Sequence, residues 1–124
     1  MDIYRAHHYC LYELNPNYQS EDGLTNHNSY GFRGTELAVQ REDDSYRIVC
    51  MGESTTYCTG IQRDGETYPA QLERHINSQQ QKIRVEVLNA GVGGYTSAEN
   101  LLHFIFKVQL LRPDLLIYYF THND

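Results

Sequence analysis

The sequence predicts an α/β domain on a parallel sheet, preceded by an irregular arm. Three observations lead there. Three apolar strand-like runs alternate with two helix-like segments. Every strand ends in a cluster of small or polar residues. The first third of the chain is polar and has no sustained periodicity. A strand, helix, strand, helix, strand order requires parallel strands and right-handed crossovers. All three clusters then fall on one edge of the sheet.

The elements follow in order. Residues 1–45 form the arm, rich in Asn, Tyr and His, with turn signals at Asn15-Pro16-Asn17 and Glu21-Asp22-Gly23 and a charged linker at Arg41-Glu42-Asp43-Asp44-Ser45. Its aromatic residues (Tyr4, Tyr9, Tyr12, Tyr18, Tyr30, Phe32) predict packing over the domain, because disordered tails are usually aromatic-poor. Residues 46–124 form the domain. Tyr46 to Met51 is the first strand. Thr67-Tyr68-Pro69 is a helix entry with proline in the first turn, and Tyr68, Leu72 and Ile76 give one apolar stripe. Ile83 to Leu88 alternates apolar and charged residues, which suits a strand with one wet face near a sheet edge. Thr96-Ser97-Ala98-Glu99 has the form of a capping box. The helix it opens carries Leu101, Leu102, Phe104, Ile105, Phe106, Val108, Leu110 and Leu111, apolar nearly all round, which predicts heavy coverage. Arg112-Pro113 stops it. Leu115 to Phe120 is an unbroken apolar strand of the kind buried on both faces.

Composition narrows the function classes. A chain of 124 residues suits one domain with a modest core. A formal charge of −6 argues against a nucleic-acid binder, which normally shows a basic face. No apolar run approaches the roughly 20 residues of a membrane span, and the start, Met1-Asp2-Ile3-Tyr4-Arg5, lacks the pattern of a signal peptide. Nothing in the chain sets its compartment. Cys10, Cys50 and Cys58 form no recognisable framework, and Cys50 reads as a buried thiol. No cofactor or metal is implied. The eleven tyrosines are expected to pack as amphipathic rings.

Two nucleotide-binding patterns fail on their residues. Gly91-Val92-Gly93-Gly94 follows a strand and precedes a helix, yet the third glycine of a dinucleotide fingerprint would fall at Thr96. Gly52 to Gly60 is bounded by glycines but lacks the Gly-Lys-Ser/Thr ending of a phosphate loop.

The clusters make better sense as an acyl-transfer site. The first is Gly52-Glu53-Ser54, the second Asn89-Ala90-Gly91-Val92-Gly93-Gly94, the third Thr121-His122-Asn123-Asp124. Ester hydrolysis needs a nucleophile and donors aimed at the developing oxyanion. Ser54 supplies a hydroxyl, Gly94 an unobstructed backbone N–H, and Asn123 a side-chain amide. With these three blocks in order, the chain resembles the N-terminal part of an SGNH (GDSL-type) hydrolase. Its usual Gly-Asp-Ser block matches Gly52-Glu53-Ser54, and its Gly-x-Asn-Asp block matches Thr121-His122-Asn123-Asp124. Asn28-Ser29-Tyr30-Gly31-Phe32-Arg33-Gly34 resembles a segment that often precedes the domain in bacterial members.

The resemblance implies a flavodoxin-like, three-layer α/β/α fold and a serine esterase acting on acetyl or short acyl esters of carbohydrate or lipid. Ser54 would attack the acyl carbonyl. The backbone N–H groups of Ser54 and Gly94 and the Asn123 side chain would hold the oxyanion. Relatives are often exported or membrane-tethered. Two departures stand out. Thr121 replaces a glycine, so its side chain either crowds the oxyanion pocket or points away. The family's base and its orienting acid lie in an Asp-x-x-His block, and none occurs in these 124 residues. Of the six histidines, His7, His8 and His27 lie in the arm, His75 and His103 read as surface or boundary residues of helices, and His122, the one candidate base adjacent to the site, occupies a variable position.

The topology carries the same gap. In the flavodoxin-like order 2-1-3-4-5 the chain supplies the second, first and third strands. The third would sit at an open edge, where self-association is expected. The chain is therefore expected to be an incomplete hydrolase, bearing the nucleophile and oxyanion hole. The alternative is an inactive binding module of the same fold, or a non-functional fragment.

Overall fold

A computed structural model describes residues 1–38, 41–121 and 123–124. Its centre is a parallel sheet. β3 (Ser45–Gly52) lies between β4 (Arg84–Asn89) and β5 (Leu115–Tyr119). The register runs from Ser45↔Arg84 to Cys50↔Asn89 on one side and from Ile48↔Leu115 to Gly52↔Tyr119 on the other. Counting only these parallel strands, the spatial order is second, first, third, as expected of the first half of a flavodoxin-like sheet.

β3 is central because Ile48-Val49-Cys50-Met51 has apolar side chains for both faces, and all four are buried. Val49 and Met51 pack with Leu88, Val108, Leu111, Phe32 and Leu37 of the arm, and Phe104 of α3 (Ser97–Phe106). Ile48 and Cys50 pack on the opposite face with Val85, Val87 and the predicted stripe Tyr68, Leu72 and Ile76 of α2 (Tyr68–Gln79). One helix thus covers each face, and the three layers are α/β/α. Each buried aliphatic side chain contributes roughly 1.5–3 kcal/mol relative to exposure.

Local signals set the helix starts. Pro69 occupies the first turn of α2. Thr96 and Glu99 form the capping box, with the Thr96 Oγ1 accepting from Ala98 N and the Glu99 carboxylate from Thr96 N at 2.8 Å. The end of α3 departs from expectation. It stops at Phe106, and a separate 3-10 turn, Val108–Leu111, follows. Nor is the helix heavily covered, since Leu101, Ile105, Phe106 and Leu110 are exposed. A sheet of three strands is too narrow to bury a helix that is apolar all round. β5 shows the same contrast: composed like a central strand, it pairs among the described residues with β3 alone, and Leu115, Leu116, Tyr118 and Tyr119 are exposed.

The β4 edge is finished differently. Asn77 of α2 accepts from Val85 N (3.0 Å) and donates to Val85 O (2.8 Å). Glu73 accepts from Val87 N at 2.7 Å, and Arg33 N donates to Asn89 O at 3.2 Å. Side chains and arm backbone therefore take the place of a neighbouring strand.

The arm contains order that its sequence does not signal. β1 (Tyr4–His7) and β2 (Leu11–Leu14) form an antiparallel hairpin. His7 Nδ1 accepts the N–H groups of Tyr9 and Cys10 in the turn. Cys10 and Leu14 are buried with Tyr57, Val92 and Tyr95 at the strand-end side of the sheet. No helix among the described residues is long and apolar enough to cross a membrane.

Candidate active site

Ser54 lies where β3 turns into α1, a single helical turn spanning Ser54–Tyr57. The turn demands glycine at position 52. Gly52 has φ +153°, and a Cβ there would fall 2.0 Å from the Tyr119 carbonyl oxygen and 2.4 Å from Thr56 Oγ1. Thr56 Oγ1 lies within hydrogen-bond range of the same Tyr119 oxygen at 3.0 Å and of Met51 O at 3.2 Å, joining the ends of β3 and β5.

Glu53 organises the hydroxyls around it. Its side chain is 1 % exposed. It accepts from Ser54 Oγ at 2.6 Å, Thr55 Oγ1 at 2.6 Å and Thr121 Oγ1 at 2.7 Å. Burial pushes its carboxyl up, but the hydroxyl donors and the Thr55 N–H outweigh burial and hold it at about 2. Glu53 is thus an anion throughout the neutral range. As so weak a base it orients Ser54 rather than deprotonating it. Thr121, where the resemblance leads one to expect glycine, directs its hydroxyl to Glu53.

The second cluster is pressed against the first. Ala90 N donates to Cys50 O at 2.8 Å and Val92 N to Gly52 O at 3.1 Å. A Cβ on Gly91 would fall 2.3 Å from Tyr57 N, so only glycine lets this segment pass beside α1. Asn89 Oδ1 accepts from Gly91 N at 3.1 Å, which gives it a turn-forming role. Gly94 is exposed with φ +82°. From the third cluster, Asn123 Nδ2 donates to Tyr95 O at 3.1 Å, and the Asp124 carboxylate accepts from Ser97 N at 2.7 Å. Ser54, Gly94 and Asn123 therefore belong to three segments tied together at one end of the sheet, through Glu53–Thr121 on one side and Asn123–Tyr95 on the other.

Among the described residues, no histidine is bonded to Ser54, whose hydroxyl donates to Glu53. His27 is buried, with Nδ1 at 3.0 Å from Asn15 O and Nε2 at 3.0 Å from the Tyr57 hydroxyl. Burial lowers its pKa. His103 is buried rather than a surface or boundary residue, packed edge-on against Phe32 and Tyr95. Burial, helped by the Lys107 charge, brings its pKa down to about 4. His103 sits where α3 meets the sheet, a position its local sequence does not reveal. His122 lies outside the described residues. Among the described residues, no group of three or more His, Cys, Asp or Glu side chains could hold a metal ion.

Two supporting residues escaped the sequence reading. Arg33 is buried and donates to the carbonyls of Tyr57, Cys58, Ile61 and Gln62 while pairing with Asp64 at 2.9 Å. It clamps the loop that follows Ser54. Its only signal was its place in Asn28–Gly34. Tyr12 is the other, and its hydroxyl meets the second cluster at Gly93 O.

A parallel sheet in this order, covered by a helix on each face and ending in a serine turn beside a glycine-rich turn, defines an SGNH-hydrolase-like α/β fold. Comparison with solved structures agrees. The chain is similar to the crystal structure of AlinE4, an SGNH-hydrolase family esterase, at a TM-score of 0.54 and 32% identity, covering 68% of this chain and 44% of that one. An aspartate-to-alanine mutant of the same esterase matches with the same TM-score, identity and coverage. The chain thus spans less than half the length of these relatives. No protein-family model matches it, and no curated protein does.

Proposed function

We propose that the chain carries the nucleophile and oxyanion hole of a serine ester hydrolase acting on acetyl or short acyl esters of carbohydrate or lipid. The observation that carries this reading is the joining of three strand ends beside Ser54, through Glu53–Thr121 and Asn123–Tyr95. Ser54 Oγ attacks the acyl carbonyl and its proton passes to a base. The carbonyl oxygen becomes an oxyanion. The Ser54 N–H receives it from the first helical position, where an N–H has no intrahelical acceptor, together with the Gly94 N–H and the Asn123 amide. Loss of one such donor typically costs about 3 kcal/mol of barrier. The alcohol leaves, and water then releases the acid from the acyl-serine. The base is a histidine or a small imidazole in solution.

A second reading is a non-catalytic module that binds a ligand at the strand ends. The bond from Ser54 to Glu53 favours it, because a hydroxyl held by its neighbour must turn away before it can attack. Release of nitrophenol from a short-chain ester, with imidazole added, separates the two. Ser54→Ala should abolish release above the imidazole background. Equal release by Ser54→Ala and the unmodified chain would eliminate the hydrolase reading. We also propose that the chain self-associates through β5.

A further inference from the structure

Two phenols of the hairpin reach the second strand end: a Cβ on Gly93 would fall 2.7 Å from the Tyr4 hydroxyl, and the Tyr12 hydroxyl bonds the Gly93 carbonyl. Gly93 and Gly94 are the central residues of a turn closed by Tyr95 N on Val92 O at 3.3 Å. With φ +82° at Gly94, the turn is type II. Its central peptide is planar and trans, so the Gly93 carbonyl and the Gly94 N–H are opposite ends of one rigid unit. Turns of type I and type II differ by rotating this unit through roughly 180°. Two adjacent glycines permit both orientations. The local sequence therefore does not fix which way the Gly94 N–H points.

The Tyr12 hydroxyl fixes it. Tyr12 Oη donates to Gly93 O at 2.8 Å, and a Cβ on Gly94 would fall 2.5 Å from that same hydroxyl. The phenol is itself held in place. Its ring packs against Tyr4 and Tyr95 at centroid distances of 5.1 and 5.5 Å, and Tyr95 Oη donates to Tyr12 O at 2.6 Å. Glu13, the next residue, pairs with Lys107 at 2.6 Å. We propose that Tyr12 is a positioning residue: by holding the Gly93 carbonyl it locks the Gly93–Gly94 peptide with the Gly94 N–H presented to the oxyanion. The catalytic part of this inference rests on the ester-hydrolase reading. The bond also polarises the peptide, which makes its N–H a stronger donor. Burial raises the Tyr12 pKa, so the phenol remains a donor through the neutral range.

Isotope-labelled full chain tests the lock directly, because the Gly93 carbonyl carbon and the Gly94 amide nitrogen both respond to hydrogen bonding at that carbonyl. Tyr12→Phe should move these two resonances more than any others outside the substituted ring's neighbours. Lys107→Met, which loosens the hairpin without touching the turn, should lower Tm and leave both in place. A Gly94 resonance unmoved by Tyr12→Phe, or moved equally by Lys107→Met, overturns the proposal. Should Tyr12→Phe fail to fold, 3-fluorotyrosine at position 12 strengthens the donor and should move both resonances the opposite way; no movement again overturns it. In ester hydrolysis Tyr12→Phe should lower kcat about tenfold with KM unchanged, a partial loss of one oxyanion donor. Hydrolysis above the imidazole background that survives Ser54→Ala would refute the hydrolase reading, while the two resonances still decide the lock.

Discussion

The two edges of the sheet are built from opposite chemistry. At β4 the backbone groups that face outward meet the amide of Asn77, the carboxylate of Glu73 and the N–H of Arg33. Its exposed Arg84 and the charged Glu86 further discourage pairing. At β5 the sequence Leu115-Leu116-Ile117-Tyr118-Tyr119 contains no charge and no proline. Among the described residues, nothing pairs with its outer edge. The difference teaches that an edge is made by its neighbours as much as by its own residues. α2 lends side chains to β4, whereas α3 adds to the flank of β5 an apolar surface of its own, where Leu101 and Phe104 line one open cavity with Leu116 and Tyr118.

Substitutions can break this comparison from either side. The largest effect is expected at the finished edge. Asn77→Leu leaves the N–H and carbonyl of Val85 without their partner, and urea unfolding should show a loss of about 2 kcal/mol. A loss near zero would mean that solvent serves that edge equally well. At the open edge, Leu116→Lys should change stability by only about 0.5 kcal/mol, yet shift the chain from concentration-dependent oligomers to monomer in sedimentation. An unmodified chain that sediments as a monomer at every concentration would remove the contrast in behaviour between the edges.

The last effect is read locally, in how β5 is tied at its end. Glu53, held at about 2 against an ordinary 4.5, contributes fully above about 4.5, and its contribution is lost as pH falls toward 2. Protonation weakens its acceptance from Ser54 and Thr121. Amide exchange at the end of β5, corrected for its intrinsic pH dependence, should therefore rise over that window. The same measurement on Glu53→Gln should show no such step.

Much of this arrangement was legible in the sequence, for local reasons. The buried run Ile48–Met51, the stripe Tyr68, Leu72, Ile76 and the box Thr96–Glu99 are periodicities and caps within a few residues of one another, and the structure realises each. Ser54, Gly94 and Asn123 were legible as three blocks in order. The unread parts depend on contacts distant in sequence. The Glu53–Thr121 bond spans 68 residues, and Tyr12–Gly93 spans 81. The hairpin escaped because β1 is largely exposed and lacks a one-sided apolar pattern. The coverage of α3 was misjudged because composition reports what a helix could bury, not whether a sheet wide enough lies beneath it.

The central claim is that Ser54 is a nucleophile facing an oxyanion hole. Acylation tests it most directly. The chain is incubated with nitrophenyl acetate and imidazole, and the acetylated peptides are mapped by mass spectrometry. The account predicts one acetyl group on the peptide carrying Ser54, absent from Ser54→Ala. An unmodified Ser54, or acetylation spread equally over surface lysines and tyrosines, would contradict it.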